Sequence, residues 1–198
     1  MDKVLIDITA YHEAGHAIVA LCHGRGVAEV AVSMTEPGNG WTLMSVADKQ
    51  PLDDPAPGNI RAAWLRTVAI YSAQIRILLA GPLAEAKLLS KPLRSLGARS
   101  DLVEAQRLFG RLQAIHEGLR RYASLPLAIP DTRRDAFRRE TRRLVARPRI
   151  WVMIAALAQE LTQRETVTAD VLTGILQNIP HPYGQYGLLS ELKQLSTD

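Results

Sequence analysis

One cysteine in 198 residues, Cys22, leaves no partner for an internal disulfide and fits a reducing compartment. Aromatic residues reach only 5%, so a core must be assembled from Leu, Ile, Val and Ala within an apolar share of 47%. That palette suits a mostly helical protein. Apolar runs are short as well: charges interrupt each one before the ~18 residues a membrane-spanning helix requires. Met1-Asp2-Lys3-Val4 lacks the pattern of a signal peptide. From these absences the expectation is a single soluble, cytoplasmic domain over 1–198 with no membrane span, its core at about 5–180 and a C-terminal tail at 181–198.

Acidic residues are scarce in one place. Residues 131–149 carry eight Arg against three acids, which accounts for the whole net charge of +4. No nucleic-acid motif appears and no aromatics are spaced to stack bases, so no nucleic-acid partner is expected. The stretch reads as the solvated face of a helix with Phe137, Leu144 and Val145 turned inward. Docking to an acidic partner is the alternative.

What the sequence does contain is Tyr11-His12-Glu13-Ala14-Gly15-His16-Ala17, with the pattern H-E-x-x-H. On an α-helix, residues four apart lie one turn above each other on the same face, so His12 and His16 can aim two imidazole nitrogens at one metal ion. Glu13 lies beside that face, where a carboxylate can take a proton from water acidified by the metal. The context is helical: Ile8, Ala14, Ile18, Val19, Leu21 and Cys22 form an apolar side, and Gly24 and Gly26 end the segment.

Residues 27–34 and 41–46 alternate as strands around the turn-forming Glu36-Pro37-Gly38-Asn39-Gly40, which predicts a β-hairpin beside the first helix. Residues 48–59 read as an exposed loop. The 3.6-residue period predicts a helix over 60–80, a break or kink at Gly81-Pro82, and helix again over 83–90. After a loop over 91–99, Ser100 is placed to cap a helix whose buried stripe is Leu102, Ala105, Leu108, Leu112, Ile115 and Leu119. A break follows over 122–130. Helix resumes near Asp131, is perturbed at Pro148 and runs past Leu161, and a last short helix spans about 168–178. The fold class is therefore mainly α, with a small β element beside the metal-binding helix.

A catalytic zinc keeps three protein ligands and one open position, so a third ligand is needed. A metzincin would place Gly three residues and His six residues after the second His, but Val19 and Cys22 stand there. His23 falls one residue late, near the helix end. The remaining candidates are Glu85, Asp101 and Glu104.

At these residues the chain resembles a known family. Ala10-Tyr11-His12-Glu13-Ala14-Gly15-His16-Ala17 is nearly the signature of the peptidase domain of the FtsH family, membrane-bound AAA+ zinc proteases. The I-R-I-L-L-A-G-P-L-A-E stretch at 75–85 resembles that family's L-x-G-R-x-A-E-E segment, and L-G-A-R-S-D-L-V-E-A at 96–105 its T-G-A-S-N-D-L-x-x-A segment. L-A-Q-E-L-T-Q-R-E-T-V-T at 157–168 resembles its late helix and E-T-L element. The resemblance implies a helical zincin fold with His12, His16 and Asp101 as Zn²⁺ ligands, Glu13 as the catalytic base and Glu85 as a supporting or structural residue. By the same analogy, Gly40, Trp41 and Thr42 form the strand that receives substrate.

Departures accompany it. No G-x-x-x-x-G-K-[ST] motif is present, the family's Arg in G-R-x-A-E-E is Pro82, its second Glu is Ala86, and its G-M-S stretch has no match near Tyr122. The functional expectation is a zinc metalloendopeptidase that cleaves unfolded or flexible polypeptide without an ATPase of its own, with delivery by a separate ATPase or adaptor as an option. The alternative is a non-catalytic metal-binding interaction module. Oligomeric state is left open.

Overall fold

The computed structural model describes residues 2–45, 60–93, 99–122 and 134–179. The loop expected at 48–59, the break expected at 122–130 (apart from Tyr122, which ends a helix) and the tail at 181–198 lie outside the described residues. Six helices are described, α1 (Asp2–Cys22), α2 (Ile60–Leu88), α3 (Arg99–Tyr122), α4 (Arg134–Ala146), α5 (Pro148–Arg164) and α6 (Ala169–Gln177). Three strands accompany them, β1 (Val27–Val32), β2 (Gly40–Met44) and β3 (Thr166–Thr168). The fold is mainly α with a small antiparallel sheet, as the sequence predicts.

Helix α1 is the axis of the molecule. It packs against α2, α5, β1 and β2, and Ala10, Ala14, Ala17, Ile18, Val19 and Ala20 are fully enclosed. A helix covered on several sides needs small residues where a neighbour crosses closely. Gly15 supplies that room: a Cβ there would lie 2.9 Å from both the Ala80 carbonyl oxygen and the Ala84 methyl of α2. The helix ends as its glycines predict. Gly24 adopts a left-handed φ of +68°, and Arg25 and Gly24 donate backbone hydrogen bonds to Ala20 (2.9 Å) and Leu21 (3.0 Å). These two bonds form a Schellman cap.

The sheet order is β2-β1-β3, with both pairings antiparallel. Val30 of β1 sits between Thr42 of β2 and Val167 of β3, so these three share the face toward the helices. Ala31, Trp41 and Thr166 share the other. The hairpin matches the sequence reading, but β3 does not: no strand was expected where Thr166–Thr168 pairs with β1. The end of α5 explains the pairing. Glu165 takes a positive φ of 61°, turning the chain sharply, and its carbonyl accepts a hydrogen bond from Val32 N–H at 2.8 Å.

Three further expectations are corrected. Of the break or kink predicted at Gly81-Pro82, the break is absent: α2 is one helix through both residues. Its Ala62–Leu88 portion is also long and apolar enough to cross a membrane by length and composition, contrary to the reading that no stretch is. Of that window 67% is buried inside the protein, as in a core helix. Helix α3 begins at Arg99, so Ser100 lies inside its first turn rather than capping it. Pro148, by contrast, falls at the start of α5, where its missing N–H costs nothing.

The main core joins α1, α2, α5 and the sheet, with Ile154, Leu157 and Leu161 of α5 fully buried. Burying each such side chain contributes about 1.5–3 kcal/mol. A smaller cluster of Trp64, Val68, Tyr71 and Leu112 joins α2 to α3. Cys22 is a core residue, its thiol pushed up to about 12 by burial. On α4, Phe137 and Val145 are buried, Leu144 is partly buried, and Arg139, Arg142 and Arg143 face solvent.

Candidate metal centre

One turn of α1 separates His12 from His16, whose ring centroids lie 4.7 Å apart at 76°. Neighbouring elements fix both rings. His16 Nδ1 bonds the Ile77 carbonyl oxygen of α2 at 2.7 Å. The carbonyl can only accept, so Nδ1 is the donor and Nε2 is turned toward Asp101. His12 Nδ1 lies 3.3 Å from Glu85 Oε2, also on α2, which directs His12 Nε2 the same way. Backing a ligating imidazole with a carbonyl or carboxylate on its far nitrogen is the usual means of fixing its tautomer and tilt.

The third group arrives from α3. Asp101 stands in that helix's first turn, where the exposed backbone N–H groups favour a carboxylate. Its Oδ2 lies 2.8 Å from His12 Nε2 and 3.4 Å from His16 Nε2. Burial would raise the Asp101 pKa, but hydrogen bonds to His12 and His16 outweigh it and hold the carboxyl well below the usual range. Burial would likewise lower His12, yet Asp101, Glu85 and Glu13 together raise it to about 9. A metal ion entering the cluster must therefore displace a proton that His12 holds tightly.

The donor set fits zinc. One donor atom from each of His12, His16 and Asp101 lies within 4.8 Å of the others. Tetrahedral donors at about 2.0–2.1 Å from an ion stand roughly 3.3 Å apart, which these three reach with small shifts. The space is shaped as well. A Cβ on Gly81 would come within 2.4 Å of His16 Nε2 and 2.8 Å of His12 Cδ2, so only glycine lets α2 back this closely onto the rings.

Glu13 is 7% exposed and faces the same groove, a cavity of about 1010 Å³ that also admits His12, His16 and Asp101. Its carboxylate Oε2 accepts a hydrogen bond from the Thr42 hydroxyl at 2.8 Å. Gly40, two residues earlier on β2, leaves the space that the Glu13 side chain passes through: a Cβ there would lie 2.8 Å from Glu13 Cγ. Trp41 points to the other face, half exposed, its indole N–H donating to Glu29 Oε1 at 3.0 Å. Among the described residues, strand β2 lies at the edge of the sheet and along the groove.

The structure therefore brings His12, Glu13, His16, Glu85, Asp101, Gly40 and Thr42 together. It separates the other candidates. Glu104 sits one turn beyond Asp101 and turns to solvent, paired with Arg107 at 2.6 and 2.7 Å. His23 lies at the far end of α1, its Nε2 buried without a partner; burial and the charges of Arg76 and Arg25 lower its pKa to about 4. Three contributors escaped the sequence reading: the Ile77 carbonyl, the Thr42 hydroxyl on Glu13, and the gap at Gly81. Only Gly81 left a signal, since a lone glycine within helical periodicity marks close packing or function.

No family model matches the sequence. Over 103 residues, 51% of its length, the chain is 33% identical to the ATP-dependent zinc metalloprotease FtsH of Chloroflexus aggregans. It spans 14% of that protein's length. The likeness is at family level, to a metalloprotease, and it accompanies a His/Asp group able to hold a metal.

Proposed function

We propose that this chain is a zinc-dependent metallopeptidase that hydrolyses peptide bonds in unfolded or flexible protein segments. One observation carries the reading: a buried carboxylate, Glu13, opens onto the same groove as three converging metal donors. A structural site would call for a fourth protein donor rather than an adjacent base. His12, His16 and Asp101 would hold the metal. Two imidazoles and a carboxylate suit several divalent ions; the zinc metalloprotease relative favours zinc. Bound zinc would supply Lewis acidity to a water molecule and to the scissile carbonyl.

The rest falls to the chain's own side chains. Glu13 takes the proton of the attacking water and returns it to the departing amine. Glu85 and the Ile77 carbonyl keep the imidazoles aimed. The edge strand β2 offers main-chain groups to an extended peptide, which selects unfolded over folded substrates because only a free strand can add to the sheet.

The test is cleavage of casein by zinc-loaded protein beside Glu13→Gln, with metal content measured on the same samples. Cleavage by the parent and at least a hundredfold less by a still-metallated Glu13→Gln is the expected result. Zinc bound by both proteins with cleavage by neither would refute the peptidase reading in favour of a metal-binding module. Failure to bind zinc would remove the metal site itself.

A further inference from the structure

The inner face of β2 is shaped around Glu13 at two successive inward positions. At Gly40 a side chain is missing where Glu13 Cγ passes. At Thr42 a hydroxyl meets the Glu13 carboxylate at 2.8 Å and the Glu13 backbone carbonyl at 3.1 Å. From the geometry we infer that Thr42 is the positioning residue for Glu13, so that the strand offered to substrate also sets the orientation of the base. This rests on the peptidase reading above and adds a residue to it.

The argument is one of degrees of freedom. A Glu side chain has three rotatable bonds, and α1 fixes only where it starts. The gap at Gly40 restricts the stem of Glu13, and the Thr42 hydroxyl then pins one carboxylate oxygen. The other oxygen is left for a water in the groove. Thr42 has one hydroxyl proton and two Glu13 oxygens in reach, so it stays bonded while the carboxylate is charged and can turn to the main-chain carbonyl when the carboxyl donates instead. Thr42 is itself restrained: it pairs with Val30 of the central strand β1, and β-branching restricts its χ1. A positioned proton acceptor is worth about 10²–10⁴-fold in rate, and that advantage depends on placement within hydrogen-bond reach.

Two measurements test this, one independent of catalysis. In metal-free protein, a double-mutant cycle between Thr42→Val and Glu13→Ala is read by urea unfolding. A hydrogen bond to a charged group predicts losses that are non-additive by about tenfold or more in the unfolding equilibrium constant. In zinc-loaded protein acting on a flexible peptide, Thr42→Val should lower kcat at least about tenfold with KM within about twofold and metal content unchanged. Thr42→Ser, which keeps the hydroxyl, should recover most of the loss. Additive unfolding losses would overturn the proposal. So would a Thr42→Val enzyme with the parent's kcat, or a Thr42→Ser enzyme as impaired as Thr42→Val. A parent that cleaves nothing while the cycle still shows coupling would instead refute the peptidase reading, so the two failures are told apart.

Discussion

Replacing Gly81 by alanine adds one methyl group against the donor edge of the His rings, and its consequences are calculable. The new Cβ would lie 2.4 Å from His16 Nε2, 2.7 Å from His16 Cε1 and 2.8 Å from His12 Cδ2. Ordinary contacts begin near 3.5 Å, so the His16 ring must retreat by about 1 Å. Metal–donor distances tolerate about 0.2 Å. The ring cannot simply swing aside, because its Nδ1 is tied to the Ile77 carbonyl on the same helix that carries the intruding methyl. Disturbing groups that orient ligands costs 10–100-fold in metal affinity, and displacing a ligand directly should reach the upper end. We expect zinc affinity to fall at least about 100-fold, or roughly 2.8 kcal/mol at 1.4 kcal/mol per tenfold. Helix propensity pushes the other way, favouring Ala over Gly by about 1 kcal/mol in a helix interior. The assay is competition against a chromophoric chelator at fixed pH, with urea unfolding of the metal-free protein alongside. Gly110→Ala is the control, since nothing lies within 4 Å of a Cβ there; it should stabilise α3 by about 0.5–1 kcal/mol and leave zinc binding alone. A Gly81→Ala protein within about threefold of the parent's zinc affinity would refute the reasoning.

Three further expectations follow from the same geometry. Asp101→Asn should weaken zinc binding by more than about 100-fold, while Glu104→Gln, whose carboxylate pairs with Arg107, should leave it unchanged in the same titration. Glu85→Gln keeps the shape of the side chain but removes its charge from His12 Nδ1, and should cost about 10–100-fold in zinc affinity by isothermal titration. His23 titrates near 4 rather than 6.5, so the unfolded chain takes up its proton first as pH falls, and stability is lost between pH 6.5 and 4. That loss is at most about 3.4 kcal/mol at 1.36 kcal/mol per unit; His23→Leu should flatten this part of the pH–stability curve, and an unchanged slope would show that His23 is not its source.

The parts of this protein that were legible in its sequence are those governed by local periodicity. His12 and His16 recur at one helical turn, and the hydrophobic stripes of α1, α2 and α3 follow the same rule. What depends on tertiary approach was not legible. Reading residues alone left Glu85, Asp101 and Glu104 as candidates; resemblance singled out Asp101, and the structure brings Asp101 to the Nε2 atoms of the His pair and Glu85 to His12 Nδ1, while Glu104 faces solvent. The Gly81-Pro82 pair carries the signature of a helix break, yet α2 passes through it, since the glycine serves to bring α2 against the His rings. Strand β3 is too short at three residues to show alternation, and it exists only because Glu165 turns the chain back onto β1. Thr42 looked like part of a substrate-binding strand, but which side chain its hydroxyl would meet depends on how β2 lies against α1.

The span of chain between the metal donors bears on the protein's lifetime. His12 and Asp101 are 89 residues apart, and the groups that aim His12 and His16 are 73 and 61 residues away. In an unfolded chain these donors do not exist as a set, so the affinity of the proposed zinc site would be expressed almost wholly as free energy of folding. At a free metal concentration about a thousand times the dissociation constant, that linkage is worth about 4 kcal/mol. Small proteins have only about 5–15 kcal/mol of stability in total. Withdrawing zinc would then do more than silence the groove: the melting temperature would track metal supply, and a metal-starved cell would degrade the protein faster than a replete one.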